Sequence, residues 1–151
     1  MTTPLQGGAS PLLLDTRALI LLLDGAEGRV GLFAQQAAEE AQAAGGLRLC
    51  DVSLFEMAQL EEQGDLVFSI PLLAWVEQAL DIPGLSLERL TPEIAAEAAR
   101  LPGAPSAAEG LTMIDRIIAA TCRVRGLRLL AGSRALASYG DAGYLSIVSL
   151  R

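Results

Sequence analysis

Three acidic residues stand where strand-like runs give way to helix-like ones: Asp15 after LLL, Glu56 in DVSLFE and Asp115 in LTMID. Carboxylates are hard, charged oxygen donors, and three converging on one crevice would hold a hard cation such as Mg2+ or Mn2+. Each also has a plainer use at a helix start. Asp15 suits the cap of a helix beginning near Arg17, Ser53 to Glu56 fits a capping box, and Thr112 to Asp115 is a variant of it. Capping accounts for each acid taken singly; convergence alone would make them a metal site.

The residue types that are absent narrow the chemistry further. The 151-residue chain has no His, no Lys and no Asn, so all 11 basic residues are Arg, which stays protonated and is a poor general base. His-assisted nucleophiles, His-ligated zinc, lysine Schiff bases and lysine-bearing phosphate loops are therefore excluded. Cys50 and Cys122 lie far apart without ligand-like spacing, which argues against a disulfide framework and a thiolate site and favours the cytoplasm. The balance of 11 Arg against 18 acids, 11 − 18 = −7, is too acidic for bulk electrostatic capture of nucleic acid. Arg116, Arg123, Arg125, Arg128 and Arg134 nevertheless crowd the last quarter, where they either line one side of a cleft or pair with the earlier acids.

The elements that would position these groups alternate. Short apolar runs at Leu12–Leu14, Leu47–Val52, Leu85–Leu90, Leu127–Ala131 and Tyr144–Leu150 read as strands. Between them, Arg17–Leu23, Val30–Ala44, Ser53–Gln63, Pro71–Leu80, Thr91 to about Leu101, Met113–Arg125 and a turn after Ser133 read as helices. Alternation of this kind predicts a single α/β domain over residues 12–151, a three-layer α/β/α sandwich on a mostly parallel, roughly five-stranded sheet. Residues 1–11 read as a flexible tail, and Leu101–Gly110 as a mobile loop. The most apolar stretch, Leu12–Leu23, is broken by Asp15, Thr16 and Arg17 and is too short to span a membrane. Ligands of such sheets bind at the carboxyl ends of the strands, where the three acids fall.

The runs LLLDTRALILLL, DVSLFEMAQL with the later WVEQAL, LTPEIAAEAARLPG, and IDRIIAATCRVRGLRLLAGSRALASYG, in this order, resemble the successive blocks of PIN-domain proteins. The resemblance is to VapC-type ribonuclease toxins of bacterial toxin–antitoxin pairs and covers about residues 12 to 150. It implies a PIN-like fold and a metal-dependent endoribonuclease in which Asp15, Glu56 and Asp115 are catalytic and hold Mg2+ or Mn2+. It also implies an RNA substrate, a VapB-like antitoxin partner and a homodimer. Thr16, Thr112 and Ser133 are then the hydroxyls supporting the metal site, and Arg17, Arg116 and Arg134 the candidate RNA contacts. Leu19–Leu23, Leu72, Leu73 and Trp75 fall on helices that flank the antitoxin groove in that family. The departures are specific. Where the family reads Leu-Val-Thr-x-Asp after the fourth strand, this chain has Leu129, Leu130, Ala131, Gly132 and Ser133, so the fourth acidic position is a serine. Arg17 stands where His is frequent, and Thr112 where an Asp often precedes the third acid. The alternative implied by Ala131 and Ser133 is a PIN-fold binding or regulatory module without nuclease activity.

Overall fold

The computed structural model describes residues 10–23, 30–103 and 108–151. Five strands, β1 (Leu12–Leu14), β2 (Leu47–Cys50), β3 (Leu85–Glu88), β4 (Arg128–Ala131) and β5 (Ile147–Ser149), form one sheet in the order β3-β2-β1-β4-β5. Every pairing is parallel, with Leu14 opposite Leu49 on one side and Leu130 on the other. The described helices are α1 (Thr16–Leu23), α2 (Leu32–Ala43), α3 (Asp51–Glu62), α4 (Leu72–Leu80), α5 (Pro92–Ala99), α6 (Met113–Arg125) and α7 (Arg134–Asp141).

Because side chains alternate across a strand, the sheet separates two cores. Leu12, Leu14 and Leu130 face one core with Ala18, Leu19 and the small residues Ala34, Ala37, Ala38 and Ala41 of α2. Leu13, Leu129 and Ala131 face the other with Ile94 of α5, Ile118, Ala119 and Cys122 of α6, and Leu136 and Tyr139 of α7. Alanines at helical spacing let α2 lie close to the sheet, whereas the branched side chains of α5 and α6 fill the opposite layer. The expected three-layer α/β sandwich is thus observed.

Local boundaries differ in ways that matter to the site. Helix α3 begins at Asp51, not Ser53, and its N-cap is Cys50, with no side-chain cap bond. Asp51 favours the positive first turn of the helix, and its Oδ2 accepts the Leu90 N–H at 3.1 Å. Ser53 is consequently an interior, fully buried residue rather than a cap, and Glu56 sits on the second turn of α3. Strand β5 is shorter than the expected Tyr144–Leu150, because Tyr144 stacks on Tyr139 with ring centroids 4.9 Å apart.

Of the expected flexible tail, residues 1–9 lie outside the described residues. Residues 10 and 11 are tied to β4, where Arg128 donates its N–H to the Pro11 carbonyl and its guanidinium to that of Ser10. Residues 104–107 of the expected mobile loop are likewise outside. Among the described residues, no helix is long and apolar enough to cross a membrane.

Candidate active site

The strand order reverses direction between β1 and β4, and a crevice opens at the carboxyl ends of these neighbouring strands. It holds a cavity of about 1250 Å3, lined by Asp15, Glu56 and Asp115 together with Thr16, Thr112, Ser133, Arg17 and Arg134. Eight of the nine expected site residues thus share one cavity.

Asp15 leaves β1 and is only 1% exposed. Its Oδ1 accepts the Ala18 N–H at 2.8 Å, which caps α1. Its Oδ2 accepts the N–H groups of Gly132 and Ser133, both at 2.8 Å, across a separation of more than a hundred residues. An ionised carboxylate has about four lone-pair directions, so three of them are spent here and one is left on Oδ1. Burial raises the carboxyl pKa above its ordinary 3.8, the three N–H groups work to lower it, and the neighbouring charge of Asp115 raises it again.

The β4–α7 turn can approach this closely because of a glycine. A Cβ at Gly132 would lie 2.8 Å from the Cβ of Arg17 and 3.1 Å from the Ala18 nitrogen. The next residue, Ser133, caps α7 by accepting the Leu136 N–H at 3.3 Å, and its hydroxyl is near enough to Asp115 to counter the rise in that carboxyl's pKa. Ser133 therefore stands between the two acids, where the fourth acidic position was expected.

Asp115 forms the anticipated capping box. Thr112 Oγ1 accepts the Asp115 N–H at 3.0 Å, while Asp115 Oδ2 accepts the Thr112 N–H at 3.3 Å. Burial raises its pKa, and the hydrogen bonds from Thr112 and Ser133 counter that. Thr16 is buried, and its hydroxyl donates to Ser53 at 2.9 Å.

The three acids meet in a common cavity rather than as a closed ligand cluster. Among the described residues, no three His, Cys, Asp or Glu side chains gather closely enough to hold a metal ion. Like charges repel, and the backbone N–H groups compete for the same oxygens. The donor set still fits a hard divalent cation. Among the described residues the ion pairs are Arg48–Glu88, Arg123–Glu97 and Arg125–Glu88, so no arginine neutralises Asp15, Glu56 or Asp115. Burial raises the proton affinity of both Asp15 and Asp115, and the charge of Asp115 raises that of Asp15 further, so these are groups whose charge a cation would offset.

Arg116 is the exception among the expected residues. Its guanidinium donates to the carbonyls of Ala98 (2.9 Å) and Ala99 (3.4 Å) at the end of α5, and it does not line the cavity. Nor does the basic last quarter form one face. Arg123 and Arg125 pair with Glu97 and Glu88, Arg128 is tied to Ser10, and of the five clustered arginines only Arg134 reaches the cavity. Pairing with the earlier acids is thus the fate of Arg123 and Arg125.

Residues not anticipated also line the cavity, Asp65 and Arg151 on its polar side and Leu60 and Leu66 on its apolar wall, which Ile20 and Leu21 of the expected groove stretch complete. No sequence signal marked Asp65 or Arg151, whose positions depend on loop and terminal geometry. Of the apolar groove residues, Leu19 is fully buried and unavailable to a partner. Leu72 and Trp75 pack against the core, with Trp75 5.3 Å from Phe68 between ring centroids, whereas Leu73 is 72% exposed.

Comparison with known proteins is consistent with this architecture. The family model of the PIN domain matches residues 12–141. Ribonuclease VapC22 of Mycobacterium tuberculosis is 34% identical over 115 residues, covering 74% of this chain and 78% of that protein. Among solved structures, DNA-bound VapBC from Salmonella typhimurium superposes with a TM-score of 0.60 at 15% identity, covering 94% of this chain and 99% of the other. A toxin–antitoxin complex from Klebsiella pneumoniae gives 0.59 at 21% identity, with 93% and 98% covered. The likeness to these two structures is one of fold.

Proposed function

The chain belongs to the PIN-domain family, and on that premise we propose that it is a divalent-cation-dependent endoribonuclease, the toxin of a toxin–antitoxin pair. The observation that carries this reading is the buried carboxyl of Asp15 sharing a cavity with the half-buried Asp115 and Glu56, with none of the three neutralised by an arginine among the described residues. In this reading Asp15, Glu56 and Asp115 are the catalytic acids and would hold Mg2+ or Mn2+. When bound, the cation supplies Lewis-acid polarisation of the phosphodiester and lowers the pKa of an attacking water.

The chain's own groups do the rest. Asp15 presents its one unspent lone pair from a carboxyl fixed by three N–H groups, so that it offers a single oxygen in a defined direction. Arg17 and Arg134, exposed at the cavity mouth, bind flanking phosphates of the RNA. Ser133 fills the fourth acidic position with a hydroxyl, which orients Asp115 without adding charge. A VapB-like antitoxin covers the apolar side of the cleft near Leu73, a homodimer is the assembly, and the cytoplasm is the compartment of action.

Cleavage of a single-stranded RNA in the presence of Mn2+ or Mg2+, abolished by EDTA, tests this function. Asp115→Asn is the cleaner active-site variant, because Asp15→Asn would set an amide NH2 against the N–H of Ala18 or, flipped, against those of Gly132 and Ser133, and so disturb the fold as well. Asp115→Asn is expected to lower cleavage by about 100-fold or more with little change in thermal stability. Undiminished cleavage by this variant overturns the assignment. Wild-type protein that shows no Mn2+- or Mg2+-dependent thermal shift at millimolar ion and cuts no RNA favours instead the binding-module alternative.

A further inference from the structure

Two buried side chains at the edge of the cavity are joined by a hydrogen bond: the Thr16 hydroxyl donates to the Ser53 hydroxyl at 2.9 Å. Its ends are placed with respect to the candidate acids. Thr16 follows Asp15 directly and opens α1, while Ser53 lies three residues before Glu56 on α3, hence on the same helical face one turn away. Ser53 has no capping role to explain its hydroxyl, since the α3 cap is Cys50 and Ser53 is fully buried. A buried hydroxyl pair is directional where the surrounding apolar contacts are not, so it fixes the rotation of α3 about its axis as well as its distance from α1.

We propose that Ser53, through its bond to Thr16, is a positioning residue that sets Glu56 relative to Asp15. Resting on the nuclease reading of this cavity, the proposal assigns the Thr16–Ser53 bridge to fixing α3, which carries Glu56, against the start of α1 beside Asp15, so that both acids are presented to the same cavity. Neither hydroxyl need touch the RNA. Misplacement of a reacting group by about 1 Å costs about 100-fold in rate, so loss of the bridge acts on turnover and cation affinity more than on RNA binding.

The test separates positioning from packing by exploiting the asymmetry of buried hydrogen bonds. Ser53→Ala and Thr16→Val each strand the partner's hydroxyl and lower the melting temperature, whereas the double variant removes both polar groups and recovers much of that loss. If the bridge positions Glu56, kcat falls about 10- to 100-fold in both single variants and stays low in the restabilised double variant. KM for RNA changes less than twofold, and Thr16→Ser, which keeps the hydroxyl, retains wild-type kcat. Recovery of kcat along with the melting temperature in the double variant overturns the proposal.

Mn2+ affinity by calorimetry provides a second readout independent of turnover. A tenfold weakening in the double variant supports the proposal, and unchanged affinity overturns it. If wild-type protein binds Mn2+ but cuts no RNA, the nuclease reading fails while this calorimetric comparison still decides the bridge. Wild-type protein that neither binds nor cuts overturns both.

Discussion

Ser133 is the residue on which the strength of the candidate metal site turns. It donates its backbone N–H to Asp15, caps α7 through its hydroxyl, and lowers the pKa of the neighbouring Asp115. Ser133→Asp keeps a good capping group while adding a third carboxyl between two that are already strained by burial. Asp15 and Asp115 have folded pKa values raised above 3.8, so each favours the folded state when protonated and costs stability when ionised. Their contribution is therefore full below about 3.8 and is lost as pH rises through the raised folded values. The cation-free Ser133→Asp protein is expected to be less stable than wild type at pH 7, by about 1–3 kcal/mol, and to regain more stability on acidification. Mn2+ should bind it more tightly and reverse the loss, because a ligand at 100 times its Kd adds about 2.7 kcal/mol. Denaturant melts with and without Mn2+ at pH 5 and pH 7 check this. Equal stability and equal Mn2+ affinity in the two proteins would place the Ser133 side chain outside the acids' field.

At the scale of elements, the site depends on how closely the β4–α7 turn packs on the start of α1. That approach is made possible by Gly132, whose absent Cβ leaves room for the Cβ of Arg17 and the Ala18 backbone. Gly132→Ala places a methyl 2.8 Å from the Arg17 Cβ, well inside contact distance, and the turn must retreat. Retreat lengthens both bonds from the turn to Asp15 and leaves a buried carboxyl with a single backbone donor. A loss of about 1–3 kcal/mol is expected from overpacking, with RNA cleavage falling by a larger factor than the modest rise in unfolded population explains. Chemical denaturation and single-turnover cleavage measured on one preparation check the two together. By contrast, Arg116→Ala removes bonds to the end of α5 and is expected to lower stability without changing the chemistry, since that side chain lies away from the cavity.

For the whole molecule, charge arrangement matters more than net charge. The chain carries −7 overall, and most of the basic last quarter is spent on tethering helices and strands to one another. Arg17, Arg134 and Arg151 remain around the cavity mouth. Screening over about 8 Å at physiological salt hides the distant acids, so the field that an RNA strand meets is set by these arginines and by the carboxylates of Asp15, Glu56, Asp65 and Asp115 in the same cavity. With two or three phosphate contacts the logarithm of RNA affinity should fall against the logarithm of salt with a slope of about −1.4 to −2.1, at roughly −0.7 per contact. An Arg17→Ala/Arg134→Ala double variant should flatten that slope, whereas Arg116→Ala should leave it unchanged. A salt titration of RNA binding by the Asp115→Asn protein, with and without these changes, measures the slopes free of cleavage.

The amino-acid sequence determined whatever rests on short spacing. Short apolar runs specified the strands, alanine spacing the inner face of α2, and Thr112 to Asp115 a capping box observed as expected. The acids at Asp15, Glu56 and Asp115 were legible because strand ends in a parallel sheet share one edge, and the sheet's order then brought them to a common cavity. Local pattern misled where two readings coincide. Ser53 with Glu56 has capping-box spacing, yet α3 starts earlier and Ser53 turns inward to Thr16, 37 residues away in the chain. Only tertiary structure decided that pairing, the 117-residue reach of the Gly132 N–H to Asp15, and the diversion of Arg116 to α5. Hydrogen bonds between remote groups depend on the packing of whole layers, and no local periodicity encodes which donor will meet which acceptor once the layers close.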